Sequence, residues 1–166
     1  MEQAILAGEA GCISISPFLH ELKIQMVPGY LDKNPIFDVC VKAQKFYRDN
    51  NLPTRVKACA TLGLDELLML AGVDALTIMP DDLKALSECE RDETELNNIN
   101  LFVNSEKTQD LVNYPSFIDS EKDYRVSFAY SDEGQAQFKT AQAIAFFCEV
   151  QTKAEFLIKS QVEHII

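Results

Sequence analysis

Apolar and polar positions along residues 1–90 form a repeating pattern that predicts three units, each a β-strand followed by an α-helix. Three short apolar runs predict strands, at Cys12–Ser16, Arg55–Ala60 and Asp74–Ile78. Segments with helical spacing of apolar residues predict helices, at residues 3–10, at roughly 36–49, at Leu64–Ala71 and after Pro80. Alternating units with short turns predict a parallel sheet, either an open doubly wound sheet or a closed barrel.

The ends of the predicted helices carry residues that suit those positions. Gly11 and Gly72 follow two of the helices, where glycine can adopt the left-handed conformation that closes a helix. Pro80 opens the last of the three unit helices, because its missing N–H costs nothing in a first turn. In the helix over roughly 36–49, an apolar stripe is expected to face the core, at Ile36, Val39, Cys40, Ala43, Phe46 and Tyr47.

Beyond Glu88 the pattern changes. Acidic and amide residues dominate, which predicts that residues 91–130 form an acidic surface excursion with one or two helical turns. Ser131, Asp132 and Glu133 offer a cap and an acidic first turn for a long terminal helix over residues 131–164. The chain of 166 residues, 47% of them hydrophobic, is predicted to form a single domain.

Composition and charge exclude several classes of function. The formal net charge of −11 argues against binding to nucleic acid or an anionic membrane, because both require clustered Lys and Arg. No apolar stretch approaches the ~20 residues of a membrane-spanning helix, and Glu2 stands where a signal peptide would carry a basic residue. An odd number of widely spaced cysteines predicts reduced core thiols in a cytoplasmic protein, at Cys12, Cys40, Cys59, Cys89 and Cys148.

Candidate binding residues follow from the topology, because ligand sites of parallel βα sheets lie at the carboxyl ends of the strands. These ends are Ser16, Ala60–Thr61 and Ile78–Pro80. The hydroxyl of Ser16 could bind a substrate hydroxyl while the ring of Phe18 forms a wall of the pocket. The alternative is that Ser16 caps the turn after the strand.

Other residues with reactive side chains form weaker patterns. Lys57 could form a Schiff base if buried, but strand alternation sets it out of phase with Ala58, which favours an exposed amine. His20 beside Glu21 could form a proton-transfer pair, although a lone loop histidine is more often solvated, as expected for His164. No spacing of histidines and cysteines suits a metal, no glycine-rich phosphate loop is present, and no cofactor is predicted.

Four motifs in order along the chain carry a resemblance to a known family. They are Glu9–Gly11 with Ile15–Phe18, Glu66–Leu68 with Leu70–Asp74, Leu76–Ile78 with Pro80, and the final helix from Tyr130 to Ile158. Together they make the chain similar to the C-terminal half of transaldolase, a pentose phosphate pathway enzyme, class I aldolase-like, that transfers a dihydroxyacetone unit through a lysine Schiff base. The resemblance implies an α/β fold, a partial TIM (β/α)8 barrel of strands 6–8 with the C-terminal helices.

The resemblance also implies roles for particular residues. Ser16 and Phe18 match the family's active-site serine and phenylalanine and are therefore expected to bind substrate. Glu21 and Leu62 occupy the positions of two phosphate-binding arginines, and a carboxylate would repel a phosphate dianion. The family's Schiff-base lysine lies on its fourth strand, and two carboxylates lie on its first and third strands, in a region that the resemblance does not cover. No catalytic residue is therefore assigned.

Three strands of eight cannot close a barrel, because the sheet keeps two unpaired edges and an uncovered inner face. Three interpretations follow. The chain is a truncated product whose Met1 was internal to a longer protein, a half-barrel that pairs with its own copy or with a missing N-terminal half, or a non-catalytic interaction module. We expect the chain alone to lack transaldolase activity and, if completed, to bind a sugar or another small carbonyl compound, with no nucleic-acid or membrane partner.

Overall fold

Three short strands and eight α-helices make up the part of the chain that the computed structural model describes, residues 1–105 and 113–163. The chain divides into two compact units, Met1–Ser127 and Phe128–Ile166. The strands are β1 (Ser14–Ile15), β2 (Arg55–Ala58) and β3 (Ala75–Leu76). The helices are α1 (Glu2–Glu9), α2 (Phe37–Asp49), α3 (Leu64–Met69), α4 (Pro80–Ser87), α5 (Glu93–Ile99), α6 (Leu101–Ser105), α7 (Glu121–Tyr130) and α8 (Gln135–Glu163).

The first unit contains a parallel sheet with the strand order β1, β2, β3. Ser14 pairs with Arg55, and Lys57 pairs with Ala75. The mixed α/β fold with a small parallel sheet therefore agrees with the prediction, while the paired strands are shorter than the predicted runs. In β2 the run stops early because Ala60 adopts a positive φ of 64°, which is incompatible with an extended strand.

One side of the sheet packs against helices and forms the core of the first unit. Val56 and Ala58 of β2 are fully buried there. They cluster with Leu19, Leu70 and residues of α1 and α2, including Ala4, Cys40, Ala43 and Tyr47. The Tyr47 hydroxyl donates a hydrogen bond to the Ala4 carbonyl oxygen, 2.7 Å away, and so joins α2 to α1. The predicted apolar stripe of α2 is confirmed at its three buried members.

Gln44 is a polar residue within the buried face of α2. Its side chain is 8% exposed. The amide Nε2 donates to the Gly72 carbonyl oxygen at 2.8 Å, and Oε1 accepts from the Asp74 backbone N–H at 2.9 Å. The Asp74 carboxylate in turn accepts from the Val56 backbone N–H at 2.8 Å. These bonds tie α2 to the turn before β3, and that turn to β2.

On the other side of the sheet the β2 residues are exposed, and we call this side the open face. Along β2 the buried Val56 and Ala58 alternate with the exposed Arg55 and Lys57. The register places the alternate residues of β1, β3 and the segments that follow them on the same side as Lys57. The open face therefore comprises Ser14, Ser16, Phe18, Arg55, Lys57, Cys59, Ala75 and Thr77.

The segment predicted as an acidic surface excursion is more helical and better packed than expected. It contains α5, α6 and α7. Asn100 is buried, and its amide donates to the Ala71 carbonyl oxygen. Gly72 has a positive φ of 133°, and an added Cβ would lie 2.9 Å from Phe102. The segment is therefore more helical than the one or two turns predicted, and Asn100 and Phe102 pack against the turn after α3.

The terminal helix begins later than predicted. Asp132 and Glu133 have positive φ angles of 52° and 53°, so the right-handed helical backbone is interrupted between α7 and α8. The three residues predicted as cap and first turn therefore form the connection, and the helix starts at Gln135. His164 lies outside the described residues.

The second unit is dominated by α8, which is 29 residues long. Many of its apolar side chains are exposed, among them Phe138, Ile144, Phe147, Phe156, Leu157 and Ile158. Even so, none of the described helices combines the length and the apolar character needed to cross a membrane.

Candidate functional site

The carboxyl end of the open face gathers Ser16, Phe18, Lys57 and Thr77. All four residues are exposed, so a ligand can reach them. By the strand register Ser16 lies beside Lys57, and Phe18 forms a bridge with Cys59 one layer nearer the strand ends. This arrangement brings the two residues predicted to bind substrate, Ser16 and Phe18, to one surface.

The Ser16 hydroxyl replaces a backbone hydrogen bond that Pro17 cannot make. The next two rungs toward the strand ends run from Cys59 N–H to the Pro17 oxygen and from Leu19 N–H to the Cys59 oxygen, each 3.1 Å long. In this register the Lys57 carbonyl faces the Pro17 nitrogen, which has no hydrogen to donate. The Ser16 hydroxyl donates to that carbonyl instead, at 3.1 Å. This bond crosses to β2 rather than capping the local turn, and it leaves the Ser16 oxygen able to accept from a ligand.

Phe18 provides the apolar part of the site. Its ring is 41% exposed at the end of the open face. The neighbouring Cys59 is buried, with Sγ 3.3 Å from the Pro17 carbonyl oxygen and 3.8 Å from the Ser16 Oγ. The site thus combines an exposed ring with a hydroxyl oxygen, which suits a small polar ligand with an apolar side.

Lys57 is exposed, as strand alternation predicts. The exposed side is the open face, so its amine shares a surface with Ser16. Arg55, two residues earlier on the same face, pairs with Asp74 at 3.2 Å. Lys57 forms no ion pair with any residue in the described ranges.

His20 is buried rather than solvated, which corrects the sequence interpretation. Its Nε2 lies 2.9 Å and 3.1 Å from the two carboxylate oxygens of Glu66, and its ring packs edge-on against Phe37. Its Nδ1 lies 3.7 Å from an Asp32 carboxylate oxygen. The partner of His20 is therefore not Glu21. Glu66 is 46 positions away in sequence, and no spacing in the sequence indicates the contact.

Glu21 and Leu62, the positions that the resemblance associates with phosphate, lie in acidic surroundings. The Tyr30 hydroxyl donates to a Glu21 carboxylate oxygen at 2.9 Å, and this bond raises the pKa of Tyr30. The backbone N–H of Leu62 donates to Glu66 at 2.7 Å. With Asp32 beside His20, three carboxylates lie in this region and outnumber the nearby cation Lys23, whose Nζ lies 4.5 Å from the centre of the Tyr30 ring, so the region disfavours an anion.

The remaining candidate positions carry less polar chemistry. Ile78–Pro80 leads directly into α4, which has Pro80 at its first position, as predicted.

Of the five cysteines, Cys40 and Cys59 are buried, whereas Cys12 and Cys148 are exposed, so the core-thiol prediction is wrong for Cys12 and Cys148. Among the described residues no group of three or more His, Cys, Asp or Glu side chains is arranged to hold a metal ion.

Comparison with known proteins gives a consistent set of relatives. The sequence profile of the Transaldolase/Fructose-6-phosphate aldolase family matches residues 1–148. A transaldolase of Protochlamydia amoebophila is 28% identical over 169 residues, covering 96% of this chain and 49% of the relative. A transaldolase of Prochlorococcus marinus subsp. pastoris is 27% identical over 169 residues, covering 98% and 48%. The chain thus spans about half the length of the curated relatives it matches.

Proposed function

Because the chain belongs to the transaldolase/fructose-6-phosphate aldolase family, we propose that it forms the substrate-binding side of a transaldolase-like TIM barrel. In this proposal β1, β2 and β3 take the places of the barrel's sixth, seventh and eighth strands. The parallel strand order and the packing of α1 and α2 residues with the buried residues of β2 support it. In a barrel of this kind helices surround the strands, and the opposite side faces the interior.

Ser16 and Phe18 are proposed to contact the substrate, a sugar or another small carbonyl compound. The observation that carries this proposal is their joint exposure at the carboxyl end of the open face. Ser16 would accept a hydrogen bond from a substrate hydroxyl, since its own hydrogen is donated to Lys57. Phe18 would cover the apolar side of the carbon chain.

Residues 1–166 alone are not expected to transfer a dihydroxyacetone unit. The family's Schiff-base lysine belongs to a fourth strand that has no counterpart in the proposed strand assignment. The protein would therefore bind a sugar without forming a covalent adduct, and activity would require the remainder of a barrel from another chain or segment.

Binding and chemistry can be tested separately. Titration with dihydroxyacetone, followed by amide chemical shifts, is expected to perturb residues near Ser16 and Phe18. Ser16→Ala and Phe18→Ala should abolish these shifts, whereas Ser14→Ala, on the same face but away from the strand ends, should retain them. Reduction with borohydride in the presence of dihydroxyacetone should leave the protein mass unchanged. Absence of shifts in the unsubstituted protein would contradict the binding site, and a lysine adduct would contradict the lack of chemistry.

A half-barrel that pairs with its own copy is the second candidate. It is favoured by the strand order, in which β1 and β3 each pair on one side only among the described residues. Light scattering should then give twice the chain mass of 18.7 kDa. A single species of the chain mass that unfolds cooperatively would count against this candidate.

A further inference from the structure

The open face differs in the sign of its charge from the protein as a whole. The chain has a net charge of −11, yet the open face carries Arg55 and Lys57 and no carboxylate residue. The Arg55 guanidinium is engaged with Asp74, which precedes β3. Lys57 is therefore the cation of this face that has no ion-pair partner among the described residues.

The neighbours of Lys57 leave room for a ligand and offer it hydrogen bonds. On one side lies Ser16, whose oxygen can accept but whose hydrogen is already donated. On the other side lies Ala75, the register partner of Lys57, with a small side chain. Thr77 lies two residues beyond Ala75 on the same face. It is exposed, and its hydroxyl makes no hydrogen bond to a described residue. A donor is thus available on the β3 side of Lys57, and an acceptor on the β1 side.

We propose that Lys57 and Thr77 hold the anionic group of the ligand on the open face, while Ser16 accepts from one of the ligand's hydroxyls. The ligand is a small polyhydroxylated carbonyl compound or its reduced form, with a phosphate or carboxylate group. This inference rests on the proposed substrate-binding role and adds the position of the charge. The acidic surroundings of Glu21 and Leu62 oppose an anion at the positions that the family resemblance indicates.

The chemistry of the ammonium group suits this role. A lysine amine is a compact point charge on a flexible stem, so it can reach a phosphate or carboxylate without fixed geometry. A hydrogen bond to a charged partner is stronger than one between neutral groups, and its loss typically weakens binding by about ten- to a hundredfold. The amine also lies on a face without competing carboxylates.

The test compares three ligands on three proteins. Fructose 6-phosphate supplies a phosphate, glycerate a carboxylate, and dihydroxyacetone no charge. They are titrated into the unsubstituted protein, Lys57→Met and Arg55→Met, with circular dichroism as the check of folding. Arg55→Met is the matched control, because it removes one positive charge from the same strand and face. Binding is measured by calorimetry or by amide chemical shifts at constant ionic strength.

We expect Lys57→Met to weaken binding of at least one anionic ligand by about tenfold or more, and Arg55→Met by less than about twofold. Dihydroxyacetone should bind all three proteins equally, and the ligand that loses affinity identifies phosphate or carboxylate as the group. Equal losses in both variants would overturn the proposal in favour of a net-charge effect. Equal affinity of the unsubstituted protein for charged and neutral ligands would overturn it while leaving the proposed function intact. Failure of every ligand to bind would overturn both.

Discussion

Replacing Gln44 by leucine tests whether one buried amide fixes β3 against the rest of the sheet. Leucine matches the volume of glutamine closely enough to fill the same space, so the change removes hydrogen bonds with little change in packing. It leaves the Gly72 carbonyl and the Asp74 N–H without their side-chain partner. A backbone group that is buried and unpaired costs about 1–3 kcal/mol.

The expected loss lies below the sum of two such costs. Gly72 and Asp74 are both exposed residues, so water can partly replace the partners of the carbonyl and of the N–H. We therefore expect Gln44→Leu to lower the free energy of unfolding by about 1–2 kcal/mol. Domains of this kind have a total of about 5–15 kcal/mol, so the effect is a substantial fraction of the stability.

Urea unfolding followed by circular dichroism measures the change. With a slope of about 2 kcal/mol per molar urea, the midpoint should fall by about 0.5–1 M at an unchanged slope. Gln3→Leu is the matched control, because Gln3 is exposed on α1 in the same unit, and its midpoint should hardly move. A loss below about 0.5 kcal/mol for Gln44→Leu, within the range of ordinary surface substitutions, would refute the reasoning.

Gln44→Glu provides a second measure of the same contact. The carboxylate would keep an acceptor for Asp74 N–H but turn an oxygen toward the Gly72 carbonyl oxygen. Burial disfavours the charged form, so the pKa of the introduced carboxyl should rise. The protonated carboxyl can donate as the amide did, so the deficit should be smaller at low pH than at pH 8. A deficit independent of pH would contradict the donor role of the Nε2 group.

Three further outcomes follow from the structure. Iodoacetamide at pH 8 should modify Cys12 and Cys148 in the folded protein and Cys40 only after unfolding, because burial raises the pKa of Cys40 to about 12. The thiol of Cys40 stays protonated in the folded protein. Its contribution to the free energy of unfolding is therefore complete below pH 9.0, the pKa of the unfolded thiol, and is lost as the pH rises toward 12. Cys40→Ala should make the free energy of unfolding fall less over this pH range. Gly72→Ala should lower the free energy of unfolding by about 1–3 kcal/mol in thermal or urea unfolding, since alanine meets both the positive φ and Phe102. A neutral result would contradict that contact.

The sequence predicts the elements of the first unit well because their signals are local. Gly11 and Pro80 mark helix ends through backbone preferences, and apolar spacing marks the stripe of α2. The hydrogen bonds of Gln44 are not predicted from the sequence, although a polar residue within an apolar stripe is a signal that could have indicated them. Gln44 follows Ala43 and precedes Tyr47 by three positions, so it lies on the buried side. A polar residue at a core position needs partners, and those partners come from a distant turn.

The site is predictable in position but not in its connections. The strand-end rule indicates Ser16 and Phe18 from the sequence, since it needs only the strand order. The contact of His20 with Glu66 joins a loop to α3 across 46 positions, and no local pattern encodes it. The late start of α8 is also not predictable from the sequence, because neither Asp132 nor Glu133 is a residue that requires a positive φ.

The exchange of roles between Ser16 and Pro17 makes the hydrogen-bonding character of the candidate site depend on the residue after the serine. With proline at position 17, the serine hydrogen is donated to the Lys57 carbonyl, so the serine oxygen of the proposed site would accept from ligand groups that carry a hydrogen. Any other residue at position 17 would supply the missing N–H and free that hydrogen for a carbonyl or an anion. A change at Pro17 could thus alter ligand preference while Ser16 stays the same, and variation at position 17 among related proteins would record such a change.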